Sequence, residues 1–345
     1  MAACRFRRRG AEGAAQFRLE LRRLSFAEMT VDDGFRLISV INRHLGEIGT
    51  ETPLDASNQC VGEIFLGTEA LEAGAVTRQM LRKQYRMVHR NVYVPTEFTL
   101  TPRDRAKAAW LWSGRQATLI GHSAAATLGS RWLPADAPAE LTKTRKPAPD
   151  GIVIHLGAIA DNELIDIDGM SCTTPARTCY DFGRRLRFET AVIRIDALLN
   201  ATGVAIADVA EIAETYPGAR GIRALRTALA FADAGAESPQ ESRLRLLLVQ
   251  SGLPRPVTQI PVERGHVRRR IDMGYPEWMV AIEYDGEQHW TSPRQHEEDI
   301  ERLEFLAACG WTIVRVSRNQ LRYRPREVVA RIRKALEANG YPSPK

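Results

Sequence analysis

The chain has 345 residues, 44% of them hydrophobic, with 48 Lys and Arg against 42 Asp and Glu and a formal charge of +6. That length suits two or three domains with ordinary cores, and an Arg-dominated excess favours a nucleic-acid partner over an acidic protein surface. No apolar run reaches the ~18 residues of a membrane span, and the five cysteines form no CxxC pair or metal-ligand spacing, which implies a reducing cytoplasm.

Residues 1–61 differ from the rest. Their Arg-rich start lacks the apolar core of a secretory signal. A poorly ordered or untranslated extension is expected there, with translation beginning at Val61 or Met29. From 62 to 98 the pattern predicts a short helix over "LGTEALEAG", a helix over "RQMLRKQ" capped by Thr77, and a strand pair around His89-Arg90-Asn91. Helix, turn, helix and hairpin suggest a winged helix-turn-helix. In it Arg78, Gln79, Arg82 and Lys83 would face a DNA groove, and His89 and Arg90 would touch phosphate.

Over 99–185 a mixed α+β region is predicted. Thr101-Pro102 starts a helix through Trp112, and "GHSAAATLG" starts a second, small-residue helix. "AELTKT", "GIVIHL" and "ELIDID" read as strands, and Thr174-Pro175 starts a helix carrying Arg177, Thr178 and Asp181. His122-Ser123 lacks the context of a catalytic pair, and a helix cap accounts for it. Together with 62–98, on "VTRQMLRKQYRMVHRNVYVP", "GHSAAATLG" and "MSCTTPARTCYDF", the segment resembles the AbiEi-type antitoxins of type IV toxin–antitoxin systems. That resemblance implies DNA binding and a cognate toxin as partner. Residues 186–237 read as a helical connector, with "DAGAESP" as linker.

Over 238–340 the predicted order is α-β-β-β-α-β-α. Ser238-Pro239-Gln240-Glu241 has the form of a capped helix start. Strands follow at 257–263, 267–273 and 278–285, with Gly274 to Pro276 as a turn. A helix fits 294–309 with Ile300, Leu303 and Leu306 inward; "WTIVRVS" is a strand and "PREVVARIRKALEANG" a closing helix. Along "MVAIEYDGEQHW", period two sends Val280, Ile282 and Tyr284 to one face and Glu283 and Asp285 to the other. Acidic side chains crowded with Asp272 repel one another unless a cation joins them, and a hard divalent ion with oxygen ligands is the natural candidate.

These residues, with Asp299-x-x-Arg302-x-x-x-Leu306 and "GWTIVRV", resemble the PD-(D/E)XK nuclease superfamily. They are similar in particular to its very-short-patch-repair (Vsr)-like branch, domain of unknown function 559. The resemblance implies a restriction-endonuclease-like αβββαβ core. It also implies Asp272 and Glu283 as ligands for Mg2+ or Mn2+, Asp285 and His289 completing the catalytic site, and Glu241 assisting. Arg268, Arg269 and Arg270 would approach phosphate. One departure stands out: the superfamily's Lys, two positions after the second acid, is Asp285 here. The expectation is therefore an α/β and α+β multidomain protein with a DNA-binding front and a metal-dependent nuclease-like back. The alternative is a transcription-regulating antitoxin whose inert C-terminal domain serves dimerisation or partner contact.

Overall fold

Thr77, Thr101, Thr174 and Ser238, each expected to start a helix, do so in a computed structural model of the chain. Each side-chain oxygen accepts the backbone N–H three residues on, satisfying a donor that the first helical turn leaves unpaired. The structure describes residues 63–142, 147–285 and 293–342, without the side chains of 293–296. The expected extension over 1–61 and His289 lie outside the described residues. Those described form a mixed α/β arrangement of twelve α-helices and three sheets.

The first sheet is antiparallel, in the order β1 (Phe65–Leu66), β3 (Val92–Pro95), β2 (Tyr85–His89). Between β1 and β2 come α1 (Gly67–Glu72) and α2 (Arg78–Lys83). Val92 and Val94 pack on Ala106 and Ala109 of α3 (Pro102–Trp112). The second sheet is mixed, ordered β6 (Ile152–Ile154), β5 (Ala139–Thr142), β4 (Thr118–Leu119), β8 (Met170–Thr173), β7 (Leu164–Ile167). Sequence reading found β5, β6 and β7 but missed β4, which has two residues, and β8, which lacks alternation.

Helix α4 (Gly121–Thr127) corrects an expectation. Its N-cap, Ile120, makes no side-chain cap, so His122 and Ser123 are not capping residues. Ser123 Oγ instead accepts the Glu140 backbone N–H, and the Glu140 carboxylate lies 2.5 Å from His122 Nδ1 and 2.7 Å from His155 Nε2. Gly121 takes a left-handed φ of 51°, which favours glycine, and a Cβ there would also crowd that carboxylate at 2.6 Å.

The expected connector is packed into a core shared with the elements on either side of it. Helices α5 (Pro175–Arg185), α6 (Phe188–Thr202), α7 (Ile206–Thr215) and α8 (Ile222–Phe231) bury Tyr180, Val192, Leu198, Val209 and Leu225 together. The expected linker is tied down as well: Ala236 is buried, Asp233 accepts the Thr258 hydroxyl, and the Glu237 carbonyl accepts Trp132 Nε1. No single helix among the described residues is long and apolar enough to cross a membrane.

The last sheet is ordered β12 (Thr312–Ser317), β11 (Val280–Asp285), β10 (Val267–Tyr275), β9 (Val257–Arg264). On one face lie α9 (Pro239–Gln250) and α12 (Pro325–Ala338), and on the other α10 (Pro293–Ala308). A short α11 (Arg318–Tyr323) precedes α12. Two local expectations fail. Gly274 lies inside β10, close against the Val280 carbonyl, and the turn is a 3-10 segment over Pro276–Trp278. Ile300 is 44% exposed rather than inward, whereas Leu306 is buried.

Candidate functional site

Strand β11 lies between β10, antiparallel to it, and β12, parallel to it. Val280 and Ile282 enter the core under α9 and α12, while Ala281 enters the core under α10. Glu283 and Asp285 share the parity of Ala281 and so face α10, as alternation requires. Glu283 is only 3% exposed. Its Oε2 accepts Arg302 Nη1 at 2.7 Å, while its Oε1 is buried without a hydrogen-bond partner among the described residues.

Asp272 reaches the same place through a break in the ladder. Ile271 pairs with Ile260 and Met273 with Thr258, but Gln259 between them takes a left-handed φ of 54°. Ile271 joins the core under α10, and Met273, two residues later, joins the opposite core. The strand turns over at Asp272, as strands do where pairing is locally disrupted. Asp272 Oδ2 then accepts the Tyr284 backbone N–H at 3.1 Å, which holds it beside Glu283.

Around this pair the charges alternate. Arg302 also donates to Asp299 at 3.2 Å; Arg315 donates to Asp285 at 2.8 Å and lies 3.2 Å from Asp299. Four carboxylates thus face two guanidinium groups. Burial pushes the Glu283 carboxyl from an ordinary 4.5 up to about 7; the charge of Asp272 adds to this and Arg302 opposes it. Burial also raises Asp272, against the Tyr284 N–H. The surplus of hard oxygen donors and the orphaned Glu283 Oε1 fit a divalent cation. Among the described residues no three His, Cys, Asp or Glu side chains form a complete cage. Asp272 and Glu283 are the two that would hold such an ion, with water completing its shell, as Mg2+ prefers.

The other expected residues are placed variously. Glu241 is buried at the start of α9, where its carboxylate accepts the Glu237 N–H at 2.9 Å and the Ser238 hydroxyl at 2.7 Å. It closes the helix start, and burial raises its pKa despite those donors. Arg270 pairs with Glu237 at 2.8 Å and Arg268 with Glu263 at 3.1 Å, so two of the three expected phosphate contacts are ion-paired; Arg269 donates to the Arg268 carbonyl. In the first sheet region, Arg78, Arg82, Lys83 and Arg90 are exposed. His89 is half-buried and burial lowers its pKa, which favours an uncharged ring over a phosphate-binding one. Arg315 was missed in sequence except as part of "GWTIVRV". Its signal is parity: it stands opposite Glu283 in the parallel register.

Comparison with known proteins agrees with the C-terminal placement. A restriction-endonuclease-like family model, REase_MTES_1575, matches residues 247–336. Two curated relatives, the uncharacterized protein Rv2248 of Mycobacterium tuberculosis strain H37Rv and the uncharacterized protein MT2308 of strain CDC 1551, are each 33% identical over 188 residues. The match spans 54% of this chain and 69% of each relative. The solved RV2827C protein from M. tuberculosis aligns over 57% of this chain and 79% of its own, at 17% identity and a TM-score of 0.33.

Proposed function

Because the chain belongs to the family of the mycobacterial proteins Rv2248 and MT2308 and carries a restriction-endonuclease-like segment, we propose that it is a metal-dependent DNA endonuclease with a DNA-binding front. The observation that carries this reading is the buried pair Asp272–Glu283, with one Glu283 oxygen left without a hydrogen-bond partner among the described residues. A bound Mg2+ or Mn2+ would supply Lewis acidity and a more acidic water there. Asp272 and Glu283 hold the ion, the Tyr284 N–H aims Asp272, and Arg302 aims Glu283. Asp285, in the position of the superfamily's Lys, is held by Arg315 and orients the attacking water; His289 is its proton acceptor. Arg269 contacts phosphate, joined by Arg268 and Arg270 once Glu263 and Glu237 yield to it.

Residues 62–98 act in this reading as a winged helix-turn-helix. Supporting it are two helices followed by an antiparallel strand pair, and the exposed Arg78, Gln79, Arg82 and Lys83 on α2. The test is calorimetry of Mg2+ and Mn2+ with the full chain, alongside plasmid nicking, for wild type, Asp272→Ala and Glu283→Gln. Wild type should bind and nick, and each variant should lose at least ~100-fold in cleavage. Variants that cleave like wild type would sink the assignment.

A second reading rests on the ion pair itself. Arg302 already neutralises Glu283, and the Lys position is an Asp. On that basis the C-terminal domain is inert and the protein is an operator-binding regulator, paired with a cognate toxin or with a second copy. No metal binding, together with DNA binding abolished by Arg78→Ala and Arg82→Ala, would favour it.

A further inference from the structure

Trp132 is 53% exposed and sits in the left-handed region at φ 63°, an uncommon conformation for a bulky residue that persists only where its surroundings impose it. Two anchors do so here. Its Nε1–H donates to the Glu237 carbonyl at 3.0 Å, and its own carbonyl accepts Arg194 Nη1. The indole is thus fixed at its edge while much of its surface stays open. It lines a cavity of about 420 Å3 with Arg131, Ile193, Ala197, Asn200 and Glu237. Arg131 is exposed and has no ion-pair partner among the described residues.

The platform adjoins the carboxylate site through one residue. Glu237, whose carbonyl anchors the indole, donates its backbone N–H to Glu241 at 2.9 Å and pairs its carboxylate with Arg270. Glu237 is thus bonded on one side to the indole and on the other to Arg270, two residues before Asp272 on β10. In an intact duplex both faces of every internal base are covered by its neighbours. Only an unpaired or extruded base offers a free face to an aromatic ring.

We propose that Trp132, with Arg131 beside it, is a stacking platform for an unpaired nucleobase, so that the substrate of the carboxylate site carries an unpaired nucleotide next to the scissile phosphate. This rests on the nuclease reading for its purpose but not for its measurement. Binding is read without metal, in EDTA, by anisotropy of a labelled 20-nucleotide single strand and of the matching duplex. The full chain is compared as wild type, Trp132→Phe and Trp132→Ala, with thermal melts confirming that each folds. Trp132→Ala should weaken single-strand binding roughly tenfold, about 1.4 kcal/mol, and duplex binding less than twofold. Trp132→Phe should restore most of the loss, and a 2-aminopurine base in the single strand should be quenched by wild type and not by Trp132→Ala. Equal losses on both nucleic acids, or no loss on either, overturn the proposal. Cleavage on the same samples with Mg2+ separates the two claims: stacking without cleavage fails the nuclease reading alone, and cleavage that ignores Trp132→Ala fails the platform alone.

Discussion

At the scale of single residues, the site is governed by how Glu283 is neutralised. A guanidinium 2.7 Å away and a buried, unpaired oxygen coexist on one carboxylate. Arg302 thus satisfies one side of Glu283 and competes electrostatically with a cation on the other. Two unit charges ~4 Å apart interact by roughly 4 kcal/mol at an effective dielectric of about 20, and partial exposure of Arg302 reduces this. Arg302→Gln should therefore tighten Mg2+ binding about tenfold while the metal-free protein loses about 1–3 kcal/mol. Calorimetry and thermal melts read both effects; an unchanged affinity would mean that the guanidinium does not oppose the ion. The two acids were legible from alternation and the ten-residue interval between them. Arg315 was not, because its role depends on which strand lies beside β11.

Between elements, the strap joining α4 to β5 offers a pH test. Burial alone would raise the Glu140 carboxyl, but hydrogen bonds from His122 and His155 more than offset it and hold the group well below its usual 4.5. A carboxyl depressed in the folded state stabilises the fold above its unfolded pKa, and that contribution is lost as pH falls through the folded one. Glu140→Gln should lower the melting temperature at neutral pH and flatten its fall below about pH 5. Parallel acid limbs for the two proteins would show that Glu140 contributes nothing there. The partner of His122 is 18 residues away on another strand, where a local pattern suggests only a helix cap. The helix starts at Thr77, Thr101, Thr174 and Ser238 are legible in sequence, since each concerns a hydroxyl and an amide only three residues on.

For the whole molecule, the boundary expected at 238 runs through a shared core. Helix α9 gives Leu244 and Leu248 to the last sheet and Leu246 to the helices of 175–231. Arg245 and Asp196, each 1% exposed, bond across the same boundary at 2.6 Å. Burial pushes the Asp196 carboxyl up to about 6, and Arg245, the Ser242 hydroxyl and the Asp233 N–H keep it ionised at neutral pH. A fragment beginning at 236 strands Arg245 without its acid, and breaking a buried pair costs about 3–5 kcal/mol. The 236–345 fragment should accordingly melt well below a 186–345 fragment or aggregate, as calorimetry would show. Equal melting temperatures would make 238 an independent folding boundary.

The amino-acid sequence by itself determined the helix starts at Thr77, Thr101, Thr174 and Ser238, the parity of β11 and the αβββαβ order. Each depends on side-chain spacing along one or two neighbouring elements, where chemistry and period are enough. Tertiary structure decided the reversal of β10 at Asp272, the alternating row through Arg302, Asp299 and Arg315, the core shared by the supposed connector, and the anchoring of Trp132 on the Glu237 carbonyl. Those features join residues distant in sequence, and their energies arise from burial and charge that exist only once the layers have packed.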